Sequence, residues 1–481
     1  MKLALQSSIQ PKKITAPGPQ GLPIVGNLPL LSKYKHQHQA LTDLAKKYGD
    51  VFQIRIGVRP VVVLNGLETL RQALLKQQVD FAGRPNFYTL QAVFQGRAIG
   101  ARDYGLLWKR HREITVNAMH IFLTRETTPI DKQVIEEAAE LANIFLNYGG
   151  QPFDPEMDIG LNVANVMLRI LFGERNSRED QDCIDLIKAA PGFIANVAGA
   201  LIADFMPQAR VFCEPGLKKF NHALNVMERL ILKRVKAQWD SYDPENLQNM
   251  THALFKAASE IDETEKQTLG LTEDLLVEAS TQEMMGTALQ PTFPLLRWTL
   301  LYMIAYPDVQ AEVQQELDEV LGKEQQMGWE HRKKLPYTEA CLFEIMRHVP
   351  CFPLTIPHAT TTDTTLNGYF IPKNTPILVN LYSLTRDEHY WEEPEKFNPR
   401  RFLTESGEIR EDLLDKYYPF GLGKRRCLGE HLGRLEMFIF FSNLMHRCKF
   451  EKVTGEILSF DGIPGTMLYP EKYQVIVKPR L

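Results

Sequence analysis

Apolar residues recur every three or four positions over most of the chain and alternate over a few short stretches. The segment "ALTDLAKKYG" has the period of an amphipathic helix, and "VFQIRIGVRPVVVLNG" after it reads as two short strands about a turn. From about Leu70 to Leu321 the period is helical, most clearly in "VIEEAAELANIFL" and "FNHALNVMERLILKRVKAQW". Strand signals return in "TTLNGYFIPKNTPILVNLYSL", where "LNG" and "PKN" mark tight turns. A strong helix follows Cys427, and the tail "MLYPEKYQVIVKP" reads as strand. No repeat or low-complexity linker interrupts this pattern. The expected fold is mainly α with a minor β-sheet. Residues 1–27, with the stiff stretch "APGPQGLPIVGN", form a lead-in, and residues 28–481 form a single domain.

Two apolar stretches raise questions of their own. The long helix that starts near Thr272 and ends in "LLRWTLLYMIAYP" contains "GTALQPTFP", with prolines at Pro291 and Pro294. In a helix interior each proline removes a donor and clashes with the turn before it, at about 3 kcal/mol or more. Pro291 leaves the Thr287 carbonyl without its usual donor, and Pro294 does the same to Gln290. Both are free acceptors at which water can bind. The second stretch, "FIANVAGALIADFM" (Phe193–Met206), has the length of a buried or interfacial helix. It would roof a pocket or dip into a bilayer surface.

Composition narrows the function. The chain has 481 residues, 44% of them hydrophobic, and a net charge of −4, so a large core is available and nucleic acid is not an expected partner. Its six cysteines are scattered without C-x-x-C pairs, which argues against a disulfide framework or a structural zinc site. No apolar run reaches the length of a transmembrane helix, and "MKLAL" is too short for a signal peptide's core. Five lysines precede the first acidic residue, Asp43. That bias fits a membrane-side segment or a removed anchor better than the remnant of a mitochondrial transit peptide. "NMT" at Asn249–Thr251 matches a glycosylation sequon without meaning on a cytosolic face.

The most informative stretch is "YYPFGLGKRRCLGE" (Tyr417–Glu430), where Gly421, Gly423 and Gly429 surround one cysteine ahead of a helix. Glycines permit close backbone approach and positive φ. A thiolate needs backbone donors, cations and a helix N-terminus to hold its charge, and Arg425 stands two residues away. Taken alone, the pattern also suits an inert buried cysteine in a loop before a helix.

"FGLGKRRCLG" carries F-x-x-G-x-R-x-C-x-G in full, at Phe420, Gly423, Arg425, Cys427 and Gly429, and in this it resembles the cytochrome P450 family. Further landmarks follow the same order along the chain. "EIMR" supplies E-x-x-R as Glu344 and Arg347. "FNPRRF" resembles F-x-P-E-R-F, with Arg401 as the matching arginine and Arg400 where glutamate is usual. "YGLLWKRHR" supplies W-x-x-x-R as Trp108 and Arg112, and "PGPQGLPIVGN" resembles the proline-rich hinge of microsomal members. The resemblance spans essentially the whole chain. It implies haem b buried between a long distal helix and a proximal cysteine loop, with Cys427 as the axial thiolate on iron. By the same resemblance Trp108, Arg112, His358 (in "IPHATTTD"), Arg425 and Arg84 (in "FAGRP") would hold the haem propionates, with Phe420 and Gly421 against the cofactor. Glu344, Arg347 and Arg401 would form a buried ion network on the proximal side.

The prolines then fall in the distal helix, where the family's monooxygenases carry A-G-x-D/E-T. Aligned back from Trp298, Thr287 and Ala288 take the small pair, Gln290 the acid and Pro291 the threonine. Gln290 does not titrate and Pro291 has no hydroxyl, so the usual proton relay is absent. In one reading Thr287 or Thr292, helped by water, replaces the hydroxyl in a kinked helix. In a second, the chain rearranges lipid hydroperoxides or endoperoxides, needs no reductase, and Gln290 steers the radical. A third is a haem carrier without turnover. We take the monooxygenase reading, because the rest of the chain is so similar to microsomal members that oxidise steroids, drugs or polycyclic aromatics. The substrate would be lipophilic, in a pocket built from Phe87–Ile99, Phe193–Phe205, Met284–Leu289 and Cys351–Thr355. An NADPH-dependent flavoprotein reductase would dock near Lys109, Arg110, Lys424 and Arg426. Localisation would be the cytosolic face of the endoplasmic reticulum membrane.

Overall fold

The computed structural model describes residues 14–123, 130–321 and 327–480; "MKLAL" and the lysines Lys2, Lys12 and Lys13 lie outside them. The centre of the molecule is the helix Ser280–Ala305, apolar around its circumference and buried over most of its length, with Phe293, Trp298 and Tyr302 fully enclosed. A helix apolar all round has no solvent face to offer, so it must be covered on every side. Helix Glu156–Phe172 packs along it, as do Glu214–Asp240 and Glu430–Arg447. The outer helices are amphipathic. In Ile130–Asn147 the buried residues Val134, Ala138, Leu141, Ala142 and Phe145 follow the helical period, and that stripe lies on Glu430–Arg447.

The helix Ser280–Ala305 runs through both prolines, and a π-helical turn, Asp274–Ala279, feeds into its start. The expected cost of Pro291 and Pro294 is thus met by losing two backbone bonds inside a continuous helix that its neighbours hold in place.

The minor sheet sits at one side. Strands β1 (Val51–Ile56) and β2 (Arg59–Leu64) form an antiparallel hairpin, with Val51 opposite Leu64. β3 (His358–Ala359), β4 (Thr364–Leu366), β5 (Tyr369–Ile371) and β6 (Pro376–Val379) come from the second strand-rich region. The four-stranded order is β1-β2-β6-β3, with β2 and β6 parallel, while β4 and β5 pair separately. The lead-in is part of this layer: Gln53 N–H donates to the Pro17 carbonyl at 2.7 Å, and Gly26 bridges Ile56.

Two sequence expectations need correction. The tail is strand only over β8 (Val475–Pro479), paired with β7 (Cys448–Lys452). Phe193–Met206 is not one helix. The preceding helix Gln181–Ile194 ends inside it, and Ala198 (φ 55°) and Gly199 (φ 88°) are left-handed, leaving one short 3₁₀ turn at Ile202–Asp204. Two consecutive positive φ values cannot continue a right-handed helix. The "NMT" asparagine is a buried helix cap: the Asn249 side chain accepts from His252 N–H at 3.0 Å.

Candidate active site

A cavity of about 390 Å³ separates the middle of helix Ser280–Ala305 from the loop that carries Cys427. Every residue expected to hold the cofactor or to act above it lies on its wall: Cys427, Arg425, Trp108, Arg112, His358, Arg84, Phe420, Gly421, Thr287, Gln290 and Thr292. Part of its apolar lining comes from the segments expected to build a substrate pocket, among them Val93, Phe94, Ile99, Val197, Met284 and Phe352, and the rest from other helices through residues such as Met119, Met167, Leu171 and Met227. Phe205 is not on the wall; it packs on Phe87 behind it.

The cysteine loop is shaped by its own backbone. Cys427 N–H donates to the Phe420 carbonyl at 2.9 Å, and Gly421 and Gly423 have φ of 73° and 65°. A Cβ on Gly423 would lie 1.8 Å from the Leu74 carbonyl oxygen, so only glycine lets the loop close on that turn. Burial raises the Cys427 thiol, while the Gly429 backbone donor and the charges of Arg112 and Arg426 oppose it. Helix Glu430–Arg447 begins directly afterwards, placing its positive end at the loop.

Along one edge of the cavity the cations converge. Arg425 donates to the carbonyls of Ala82 (2.8 Å), Ile99 (3.0 Å) and Arg102 (2.8 Å) and stacks over the Trp108 ring. Arg84 donates to the carbonyls of Gly100, Ile356 and Pro357, and Arg112 to that of Arg426. These partners orient the guanidiniums without neutralising them. Among the described residues, none of the three has a carboxylate within ion-pair distance. Burial lowers Arg84 to about 9, and burial with the repulsion of Arg84 lowers Arg425 to about 8. His358 donates from Nδ1 to the Phe81 carbonyl at 2.7 Å, and burial beside Arg84 pushes its pKa far down. A buried cluster of like charges calls for an anionic ligand. The two carboxylates of haem b fit it, as the thiol of Cys427 across the cavity fits its iron.

Behind the loop lies an ion network whose centre, Glu344 with Arg347, is fully buried. Glu344 takes two bonds from Arg347, at 2.7 and 2.8 Å, and one from Arg401 at 3.0 Å. Asn398 N–H adds a fourth, while Arg347 also holds the carbonyls of Thr385 and Pro394.

The distal wall supplies what the sequence left open. Thr287 donates its hydroxyl to the Glu283 carbonyl at 2.7 Å, a backbone bond that leaves its oxygen facing the cavity as an acceptor. Thr292 instead donates to Glu436 Oε2 at 3.0 Å. Glu436 comes from helix Glu430–Arg447, lines the same cavity, has Oε1 without a partner, and is pushed by burial up to about 8. It holds its proton at neutral pH. Glu283, raised by burial, accepts from the N–H groups of Ile99 and Gly100 at 2.6 Å each. Neither glutamate was singled out in the sequence. The available signal was an acid inside an apolar helix, "RLEMFIF" and "TQEMMG".

The expected docking cations are less free than their charge suggests. Arg110 is paired with Glu265 at 2.6 Å, Arg426 with Glu430 at 2.7 Å, and Lys109 lies over the Tyr104 ring.

The family model for cytochrome P450 matches residues 16–477. Curated relatives agree along the whole length. The chain is 35% identical to cytochrome P450 1A5 of Gallus gallus over 93% of this chain and 86% of that protein. It is 36% identical to cytochrome P450 1A1 of Oncorhynchus mykiss over 95% and 89%. With cytochrome P450 1A2 of Oryctolagus cuniculus it shares 34% identity over 96% and 91%. The chain belongs to the cytochrome P450 family, haem-thiolate oxidoreductases of the monooxygenase class that bind haem b through a cysteine thiolate.

Proposed function

We propose that this chain oxygenates a lipophilic substrate at the endoplasmic reticulum membrane, with electrons from an NADPH-dependent flavoprotein reductase, and that Glu436 and Thr292 stand in for the missing acid–alcohol pair. Cys427 holds the iron of haem b, and Arg84, Trp108, Arg112, His358 and Arg425 hold its carboxylates, within the single domain 28–481. When bound, haem b supplies the activation of dioxygen.

The observation that carries the proton route is the Thr292–Glu436 hydrogen bond on the cavity wall, one residue past Pro291. A carboxyl that keeps its proton at neutral pH can release it, and the hydroxyl bonded to it can pass one on. The Thr287 hydroxyl oxygen and Gln290 amide complete a polar track on an otherwise apolar wall. The apolar lining supports a lipophilic substrate, as does similarity to relatives named cytochrome P450 1A. Among the described residues no helix is long and apolar enough to cross a membrane. Val211 and Phe212 are nonetheless strongly exposed, and so is Val58 in the hairpin turn that Met206 touches at Gly57; exposed apolar side chains of this kind suit a lipid surface.

The test compares two reactions by mass spectrometry of the products. One supplies reductase, NADPH and a lipophilic substrate panel; the other supplies a polyunsaturated fatty-acid hydroperoxide alone. Oxygen insertion that depends on NADPH is expected. Fast conversion of the hydroperoxide to epoxyalcohols or allene oxides, without insertion in the first arm, would make Gln290–Pro291 the mark of a peroxide-rearranging enzyme.

A further inference from the structure

The roof of the cavity joins residues 88–99 to residues 195–206, and the two are clasped by one carboxylate. Asp204 accepts from Thr89 N–H (2.9 Å), Thr89 Oγ1 (2.6 Å) and Gly199 N–H (2.8 Å), while Thr89 Oγ1 accepts from Ala198 N–H at 2.9 Å. Both side chains are buried. Phe87 meets Phe205 edge-on at 4.6 Å, and a Cβ on Gly199, at φ 88°, would lie 3.2 Å from the Phe87 ring. Opening the roof here would strip a carboxylate of three donors in a dry environment.

The opposite edge is built differently. Phe94 (φ 46°, ψ 41°) and Gln95 (φ 58°, ψ 35°) are both left-handed, and Gly96 follows at φ 72°. Non-glycine residues adopt this conformation only where the surroundings hold them in it. Here Arg97 donates from its N–H (3.0 Å) and Nε (3.3 Å) to the Phe94 carbonyl, and the buried Phe94 side chain packs into the core. The strained pair sets the Phe94 ring between two cavities. One is the site described above. The other, of about 320 Å³, lies between Gln95 and helix Glu214–Asp240. Phe94 lines both. The second cavity takes Asn221, Leu224, Asn225 and Glu228 from one face of that helix, at i, i+3, i+4 and i+7.

We propose that Phe94 is the plug of the passage by which ligands enter and leave the buried site, and that the vestibule outside it sorts them by charge. The clasped edge of the roof stays shut, and the strained edge swings the ring aside. Asn221, Asn225 and Gln95 offer amides to neutral polar groups. Glu228, with Glu278 near enough to repel it, disfavours carboxylates.

The test uses the haem-loaded protein and stopped-flow Soret shifts with two probes built on one frame, 4-phenylimidazole and its carboxylate-bearing analogue, an imidazolyl-benzoate. Phe94→Ala is expected to raise the association rate of 4-phenylimidazole about tenfold and its dissociation rate by at least as much, because the ring is both the plug and part of the site wall. Asn225→Trp, which fills the vestibule from outside, slows both rates. Glu228→Gln speeds the carboxylate probe and leaves the neutral one unchanged. Should Phe94→Ala fail to load haem, the other two variants decide by the same criteria. Rates untouched by Asn225→Trp, or accelerated only by Asp204→Asn, would overturn the proposal and move the passage to the clasp.

Discussion

The hydroxyl of Thr292 reaches 3.0 Å across the helix interface to the carboxyl of Glu436, one residue past Pro291, where the sequence reading expects the family's hydroxyl. If this pair conducts protons, Glu436→Gln keeps the shape and the hydrogen bond but removes the proton. Product formed per NADPH oxidised should fall several-fold, with the surplus appearing as hydrogen peroxide. Thr292→Val should do the same and Thr292→Ser should not. Coupling should also decline as pH rises through about 8, where Glu436 loses its proton. Coupling ratios measured between pH 6.5 and 9 check all three.

Glu436 also makes stability depend on pH. Its folded pKa is raised from 4.5 to about 8, so the native state binds a proton that the unfolded chain has released. The stability this represents is fully present below the unfolded pKa and is lost as pH rises through the folded one, on the order of 4–5 kcal/mol at most. In Glu436→Gln that slope should disappear between pH 5 and 8.5. Denaturation midpoints of wild type and variant should therefore converge at pH 5 and separate at pH 8.5, with the variant the more stable.

Pro291 gives a prediction that separates folding from chemistry. Pro291→Ala restores a donor to the Thr287 carbonyl inside a continuous helix and should stabilise the protein by about 1–3 kcal/mol. It adds no hydroxyl, so coupling should not improve. The pair Gln290→Asp with Pro291→Thr restores acid and alcohol together and should raise coupling in Glu436→Gln above that of the single variant. Equal coupling in the two would mean the proton travels by neither route.

Much of this was legible in the sequence, for a reason that residues make plain. The cation cradle and the Cys427 loop depend on short spacings, W-x-x-x-R and G-x-R-x-C, that fix where side chains emerge from one turn of backbone. Helices such as Ile130–Asn147 announced themselves because one face must be apolar. What stayed hidden depends on partners far along the chain. Thr292 and Glu436 are 144 residues apart, and nothing near either one shows that they meet. Arg110 looked like a free surface cation because Glu265 is 155 residues away. The apolar run Phe193–Met206 read as a helix because its period allowed it. Asp204, reaching to Thr89, holds it in left-handed turns instead.

The buried triad offers a test of assembly rather than chemistry. Glu344 and Arg347 have no exposure and Arg401 very little, so Glu344→Ala leaves one buried and one nearly buried guanidinium without that counter-charge. The cost should be about 3–5 kcal/mol, enough to keep most of the protein from folding around its cofactor. The measurement is the fraction of purified protein that shows the Soret band of a thiolate-ligated haem, which should fall to a small residue. Glu344→Asp, which keeps the charge, should recover part of it.

The cation cluster makes a separable prediction, because its arginines are held by carbonyls whether or not an anion is present. Arg425 donates to three carbonyls that join the cysteine loop to residues 82–102, and its charge faces the cavity. Arg425→Gln can keep one of those bonds while removing the charge. Arg84→Gln removes a second charge and relieves the repulsion between the two. If haem carboxylates neutralise this pair, each variant should lose haem faster to an excess of a haem-scavenging apoprotein, by about tenfold or more, since removing one partner of a buried charge pair costs about 2 kcal/mol or more. Thr287→Ala, on the same cavity but remote from the cradle, should leave that rate unchanged. The converse pattern would place the haem carboxylates elsewhere and leave Arg84 and Arg425 as buried ties between the loop and the sheet.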